Sequence, residues 1–198
     1  GNEPAIVPGP EDTYASYGRA WANLSNTPFR LYKRWTHEGG ISTPLIVHWP
    51  AGGLDNGSIV RTPSQLTDVL PTILEAAQVP YPDNYRNRNI PKSEGHSLLS
   101  ALRGDEAADH PLFWEHTGNA AIRQGRWKLV REYPKPWELY DMNTDRAETH
   151  DLAAHSPEIV SELVAQWEAW ASRVGVVPWE DVLEAYRADG KNESEAAG

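Results

Sequence analysis

The chain has 198 residues, with 18 Lys and Arg against 28 Asp and Glu, a net charge of -10. So acidic a chain lacks the basic footprint that nucleic-acid binding needs, and an anionic substrate would require a local basic cluster. It contains no cysteine, which excludes disulfides and thiolate metal sites, and no apolar run is long enough to cross a membrane. Apolar residues at 39% and charged residues at 23% are those of a globular protein able to bury a core. Nine Trp suit half-buried packing, with a sugar or aryl surface as their other use.

From Gly1 to Asn26 the prolines Pro4, Pro8 and Pro10 predict a loop, anchored by Tyr14, Tyr17 and Trp21. Gly1 is not Met, and the opening is not a signal peptide, so a fragment or processed chain is expected. Residues 26–43 read as a polar loop carrying Arg30, Lys33 and Arg34, followed by the turn Gly39-Gly40. The apolar run from Pro44 to Trp49 suits a buried strand, and Ile59-Val60 a short edge strand. A helix is predicted over Gln65–Ala77, capped by Ser64 and kinked at Pro71, with Asp68 bonding locally or to a neighbouring loop. Residues 80–94 read as a surface connection, and 95–104 as a short helix closed by Gly104.

Four strand-like runs follow: Leu112–His116, Asn119–Arg123, Trp127–Glu132 and Trp137–Tyr140. Their short turns predict antiparallel hairpins. Ser156 to Arg173 is the strongest helix, with Ser156 as cap, Pro157 at its first position, Gly175 at its end and a stripe of Ile159, Leu163, Trp167 and Trp170. A last short helix is expected over Trp179–Ala188, and residues 191–198 should fray.

Lys33 carries the chemistry of the first loop, because a compact ammonium on a flexible stem suits a tetrahedral oxyanion. Its plainer reading is part of a solvated basic face with Arg30 and Arg34. Phe29-Arg-Leu-Tyr-Lys33, four residues, then Glu38-Gly-Gly-Ile-x-x-Pro44-Leu-Ile-Val-x-Trp-Pro50 resembles the second half of type I sulfatases, the formylglycine-dependent family, and most of all its bacterial arylsulfatase branch. The segments around Ser16–Asn26, Gly95–Leu99, Ala121–Val130 and Trp137–Leu152 resemble successive parts of the same region.

The resemblance implies an α/β fold of the alkaline-phosphatase-like superfamily. Residues 1–94 would be the C-terminal portion of the large domain, ending its mixed sheet with flanking helices. Residues 95–198 would form a small α+β domain, an antiparallel four-stranded sheet packed by the long C-terminal helix. It implies that Lys33 contacts the sulfate and the modified nucleophile, and that His116, in the turn after the first small-domain strand, touches the leaving group. An exposed turn histidine is the alternative for His116. Arg30 reads as an ion-pair residue, His37 as a packed histidine, and Glu38 as a loop tie.

No metal ligand is expected in this chain. Asp141 and Asp145 read as turn residues, His48, His110, His150 and His155 show no ligand spacing, and His96 is given no role. The resemblance implies a divalent cation, calcium in the family, and formylglycine, both expected in a part of the protein that precedes this chain: the Cys/Ser-x-Pro-x-Arg motif is absent here, and the Asp-Asp and Asp-Asn metal pairs do not occur in the family's context. These residues alone are not expected to hydrolyse a sulfate ester. The implied partners are an aryl or carbohydrate sulfate and the remainder of the chain, in a periplasmic or secreted location. Two other readings stand beside it: a phosphonate monoester or phosphodiester hydrolase of the same superfamily, and a non-catalytic carbohydrate-binding module.

Overall fold

The computed structural model describes residues 5–7, 9–11, 13, 18–54, 57–105 and 109–190. In chain order the elements are helices α1 (Gly18–Ser25), α2 (Glu38–Ile41) and α3 (Val69–Ala76), strands β1 (Asn84–Tyr85) and β2 (Arg88–Asn89), helix α4 (Leu99–Leu102), strands β3 (Leu112–His116), β4 (Asn119–Gln124), β5 (Trp127–Arg131) and β6 (Trp137–Asp141), and helices α5 (Pro157–Val174) and α6 (Trp179–Ala188). Backbone contacts separate two compact units, residues 1–43 with 113–198, and residues 44–112. The first unit thus joins the Lys33 loop to the sheet, a grouping that differs from the sequence division at residue 94.

In the first unit, β3-β4-β5-β6 form a four-stranded sheet in sequence order, with Ile122 opposite Leu129 and Leu129 opposite Leu139 in antiparallel register. The fold is the mixed α/β class expected. Strand alternation sends Ala120, Ile122, Leu129 and Leu139 to one face, where they meet Leu163, Trp167 and Ala171 of α5. That spacing of four puts one stripe of α5 on the sheet. Each fully buried Leu or Ile there contributes about 1.5–3 kcal/mol. Phe113 stacks on Trp170 with ring centroids 5.1 Å apart, and the indole N–H of Trp167 donates to the Trp114 carbonyl at 3.1 Å. Gly175, at φ 79°, ends α5 as expected, but the Ser156 side chain makes no capping bond; the Ser156 carbonyl takes the Val160 N–H instead. The opposite sheet face holds a smaller cluster of Ala121, Val130, Tyr140 and Met142.

The expected loop before Asn26 is helical from Gly18, where the prolines have ended, and Trp21 is exposed rather than an anchor. Tyr14, Tyr17 and the tail from residue 191 lie outside the described residues.

In the second unit the predicted helix starts as a 3-10 turn, Leu66–Asp68, capped by Gln65 rather than Ser64, and becomes α-helical at Val69. Gln65 and Asp68 form a reciprocal capping box around a 3-10 turn that leads into α3. Pro71 then falls in the first turn of α3, where a helix has no intrahelical N–H bond to lose. Residues 44–49 form no strand with any described residue, and Leu45 and Ile46 are exposed; residues 59–60 are likewise unpaired. The surface connection contains an unexpected hairpin, β1–β2, turned by Arg86 and Asn87 at φ 48° and 61°.

Candidate functional site

Lys33 stands at the tip of a tight turn closed by the Trp35 N–H to the Tyr32 carbonyl at 3.2 Å, with the two rings edge to face. Leu31 and Arg34, on either side, are held at φ 66° and 110°. Non-glycine residues adopt such angles at a cost, of order 1–3 kcal/mol each, and keep them where the surroundings leave no alternative. Lys33 and Arg34 are exposed, and neither side chain has an ion-pair partner among the described residues.

The base of the turn is buried and crowded. The Gly39 N–H donates to the Arg30 carbonyl at 3.1 Å. A Cβ at Gly39 would strike the Arg30 and Leu31 carbonyl oxygens, and one at Gly40 the Trp35 carbonyl oxygen. The Gly-Gly pair is therefore a steric requirement: it lets α2 press against the loop it closes.

Beneath the loop, the polar face of the sheet supplies a buried ion cluster. Alternation and register put Lys128 opposite Tyr140, and Glu138 one pair further along the same face. The Lys128 ammonium lies 2.9 Å from Glu38 and 2.8 Å from Glu148, with all three side chains nearly inaccessible. Arg146 reaches the second Glu38 oxygen at 3.1 Å, and the Glu38 N–H donates to Glu148 at 2.8 Å. Burial alone would raise the Glu38 pKa. The Lys128 and Arg146 cations outweigh it, so the carboxyl titrates below its ordinary range. Glu38 is the loop tie that the sequence suggested.

A second group surrounds Glu138. His37, fully buried, lies 3.1 Å from its carboxylate through Nε2. A carboxylate only accepts, so that nitrogen carries the proton. Tyr140 donates to Glu138 at 2.7 Å, while Arg30 donates to the Tyr140 oxygen at 3.1 Å and the Glu148 carbonyl at 2.9 Å. The His37 bond first, against the effect of burial, and then the Tyr140 bond and the Arg30 charge hold the Glu138 pKa down to about 2. Burial and the bond to Glu138 push Tyr140 above its usual range. Arg30 and His37 are thus the structural residues expected, and of the three cations in the loop Arg30 is neutralised locally.

His116 is exposed at the end of β3. Thr117 and Gly118, at φ 51° and 82°, turn the chain into β4, and a Cβ at Gly118 would press on Trp179 and Tyr133. Buried Asn119 then joins the two candidate residues. Its amide nitrogen donates to the Arg34 carbonyl and to the His116 carbonyl, both at 3.0 Å, and its oxygen accepts the Tyr133 N–H at 3.1 Å. One side chain fixes the backbone next to Lys33 and the backbone of His116. Asn119 and Lys128 were missed in the sequence; the strand register marks their face, but not the loop that covers it.

Asp145 caps the Thr149 and His150 N–H groups in a turn, as read, whereas Asp141 is the last residue of β6, where it pairs with Arg126 and accepts the Asn143 N–H at the start of the turn. Among the described residues, the side chains able to share a metal ion are Asp68, His96 and His110, of the second unit.

Residues 29–171 match the family described as N-sulphoglucosamine sulphohydrolase, C-terminal. The chain belongs to the sulfatase family. This sulfatase chain is 34% identical over 176 residues to an uncharacterized sulfatase of Schizosaccharomyces pombe, covering 84% of the chain and 31% of that protein. It is 27% identical to an N-acetylgalactosamine-6-O-sulfatase of Bacteroides thetaiotaomicron, covering 87% of the chain and 35% of that protein. A crystal structure of the protein called Ps i-CgsB superposes with a TM-score of 0.63 at 25% identity, over 75% of the chain and 34% of its counterpart. The chain therefore spans about a third of the length of these relatives. The matched region contains both Lys33 and His116.

Proposed function

We propose that this sulfatase chain forms one wall of the pocket of a sulfuric ester hydrolase, with Lys33 as the anion-binding catalytic residue and His116 as the leaving-group contact. The observation that carries the reading is the Asn119 amide, which holds the Lys33 turn and the His116 turn on one rigid sheet edge. Exposed catalytic side chains set on buried, strained backbone are how a site is preorganised. A sulfate ester spreads its charge over three free oxygens. Lys33 would bind one of them and neutralise charge as the S–O bond breaks. His116 would donate a proton to the departing oxygen.

The attacking group belongs, in this reading, to the longer protein, because the chain has no cysteine and no Ser-x-Pro-x-Arg. The calcium that the family implies does not fit the ligand cluster among the described residues, which offers two imidazoles and one carboxylate where calcium takes six to eight oxygens. Residues 1–94 would complete the large domain of the longer protein and 95–198 its small one, with the unpaired run 44–49 taking its sheet partner from the remainder. A carbohydrate sulfate fits because a relative is named for one, and an aryl sulfate because another is the human arylsulfatase D. A periplasmic or secreted location rests on the family alone.

The test compares the full-length protein and the isolated chain on an aryl sulfate and an aryl phosphodiester. The full-length protein is expected to prefer the sulfate, and the isolated chain to turn over neither. A preference for the diester would transfer the site to the phosphonate and phosphodiester hydrolases, and turnover by the chain alone would place the attacking group within it.

A further inference from the structure

We propose that Asp68, His96 and His110 form a binding site for a zinc-class divalent ion within residues 44–112. Each offers one ligand atom, and the three atoms lie within 4.8 Å of one another. Donors bound to one tetrahedral zinc at about 2.0–2.2 Å stand about 3.3 Å apart, so modest side-chain rotations close the set. The three positions are far apart in sequence, and no spacing rule finds them.

The fold brings them together by specific contacts. Asp68 is 1% exposed, and its two oxygens accept the Gln65 N–H at 2.7 Å and the His96 N–H at 2.9 Å. These bonds fix the carboxylate while leaving lone pairs on both oxygens for a cation. They are the outer contacts that orient a ligand in metal sites. Gly95 makes the approach possible, since a Cβ there would collide with the Thr67 carbonyl oxygen and the Asp68 nitrogen. A further stitch runs from the Leu98 N–H to the Thr72 hydroxyl at 2.8 Å and from that hydroxyl to the Asp68 carbonyl at 2.6 Å. The His96 ring then lies on the His110 ring, with centroids 3.9 Å apart and planes tilted by 34°.

The donor set selects the ion. Two imidazole nitrogens and one carboxylate suit zinc, cobalt or nickel, and disfavour calcium and magnesium, which want oxygen. Three protein ligands leave a fourth position for water. His96 is exposed, which gives the ion a way in. Bound there, it would staple the start of α3 to the segments around residues 96 and 110.

The test uses the full-length protein, stripped with a chelator and titrated with Co(II), whose tetrahedral d–d absorption reports the site, and separately with Zn(II) during thermal unfolding. The wild type is expected to take up one Co(II) more than His96→Ala/His110→Ala, with the band absent from the double variant. Zn(II) should raise the wild-type melting temperature and leave that of the variant unchanged. Calcium should give no such band, and any shift it causes in the melting temperature should be the same in wild type and double variant. If the double variant fails to fold, His96→Gln and His110→Gln singly should each weaken Co(II) binding at least ~100-fold. Equal Co(II) uptake by wild type and variants, or no zinc-dependent shift in the wild type, overturns the site.

Discussion

Asn119 holds two peptide carbonyls with one amide nitrogen, and each belongs to a turn that carries a candidate catalytic side chain. With His116 as proton donor, His116→Ala should slow hydrolysis in proportion to how poor the leaving group is. The loss should reach about a hundredfold for an alkyl sulfate. A plot of log kcat/KM against leaving-group pKa should steepen in the variant; parallel lines would remove His116 from proton transfer. Glu138 supplies a second residue-scale prediction. Its pKa falls from 4.5 to about 2 on folding, so the stability it contributes is fully present above pH 4.5 and is lost as pH drops through about 2. Glu138→Gln should flatten the stability–pH curve in that window. The upper bound on the difference is about 3 kcal/mol, since the carboxylate is partly exposed. An unchanged slope would show that the His37–Tyr140–Arg30 contacts do not hold this group. At this scale the sequence showed the types, a lone ammonium in a loop and a histidine in a turn. It did not show the buried partners, because Lys128, Glu148 and Asn119 look like surface residues until a loop is laid over them.

The loop from Arg30 to Gly40 behaves as an element in its own right. Its two non-glycine residues at positive φ, Leu31 and Arg34, are held by a glycine pair below and an ion cluster behind. Gly39→Ala should cost about 1–3 kcal/mol, the usual penalty of overpacking, because the added methyl meets backbone on both sides. Urea unfolding measures it, and an unshifted midpoint would mean that the loop is not pressed on α2. Elements with strong periodicity were legible: the four strands and α5 lie within a residue or two of their predicted ends. The run 44–49 was not, because a strand is defined by its neighbour and none is present among the described residues. The cap lies at Gln65, one residue beyond the predicted Ser64, because Gln65 and Asp68 satisfy each other around the 3-10 turn that precedes α3.

At the scale of the molecule, contacts distant in sequence decide what the parts do. Arg30 bonds the backbone 118 residues away, and Lys128 pairs with a carboxylate 90 residues earlier. Composition foretold a globular chain, and an ordered motif foretold the family and, with it, the α/β fold. The joining of residues 1–43 to the small sheet rests on buried charge pairs whose two halves are separately unremarkable in sequence. Such pairs position more than they stabilise, since desolvation offsets most of their attraction. What they position is the backbone of the loop that carries Lys33. The most direct measurement is steady-state turnover of Lys33→Ala in the full-length protein on an aryl sulfate, with the melting temperature recorded alongside. A loss of kcat/KM of at least about a hundredfold is predicted, with an unchanged melting temperature because the side chain is exposed. Turnover within a few-fold of wild type would contradict the account.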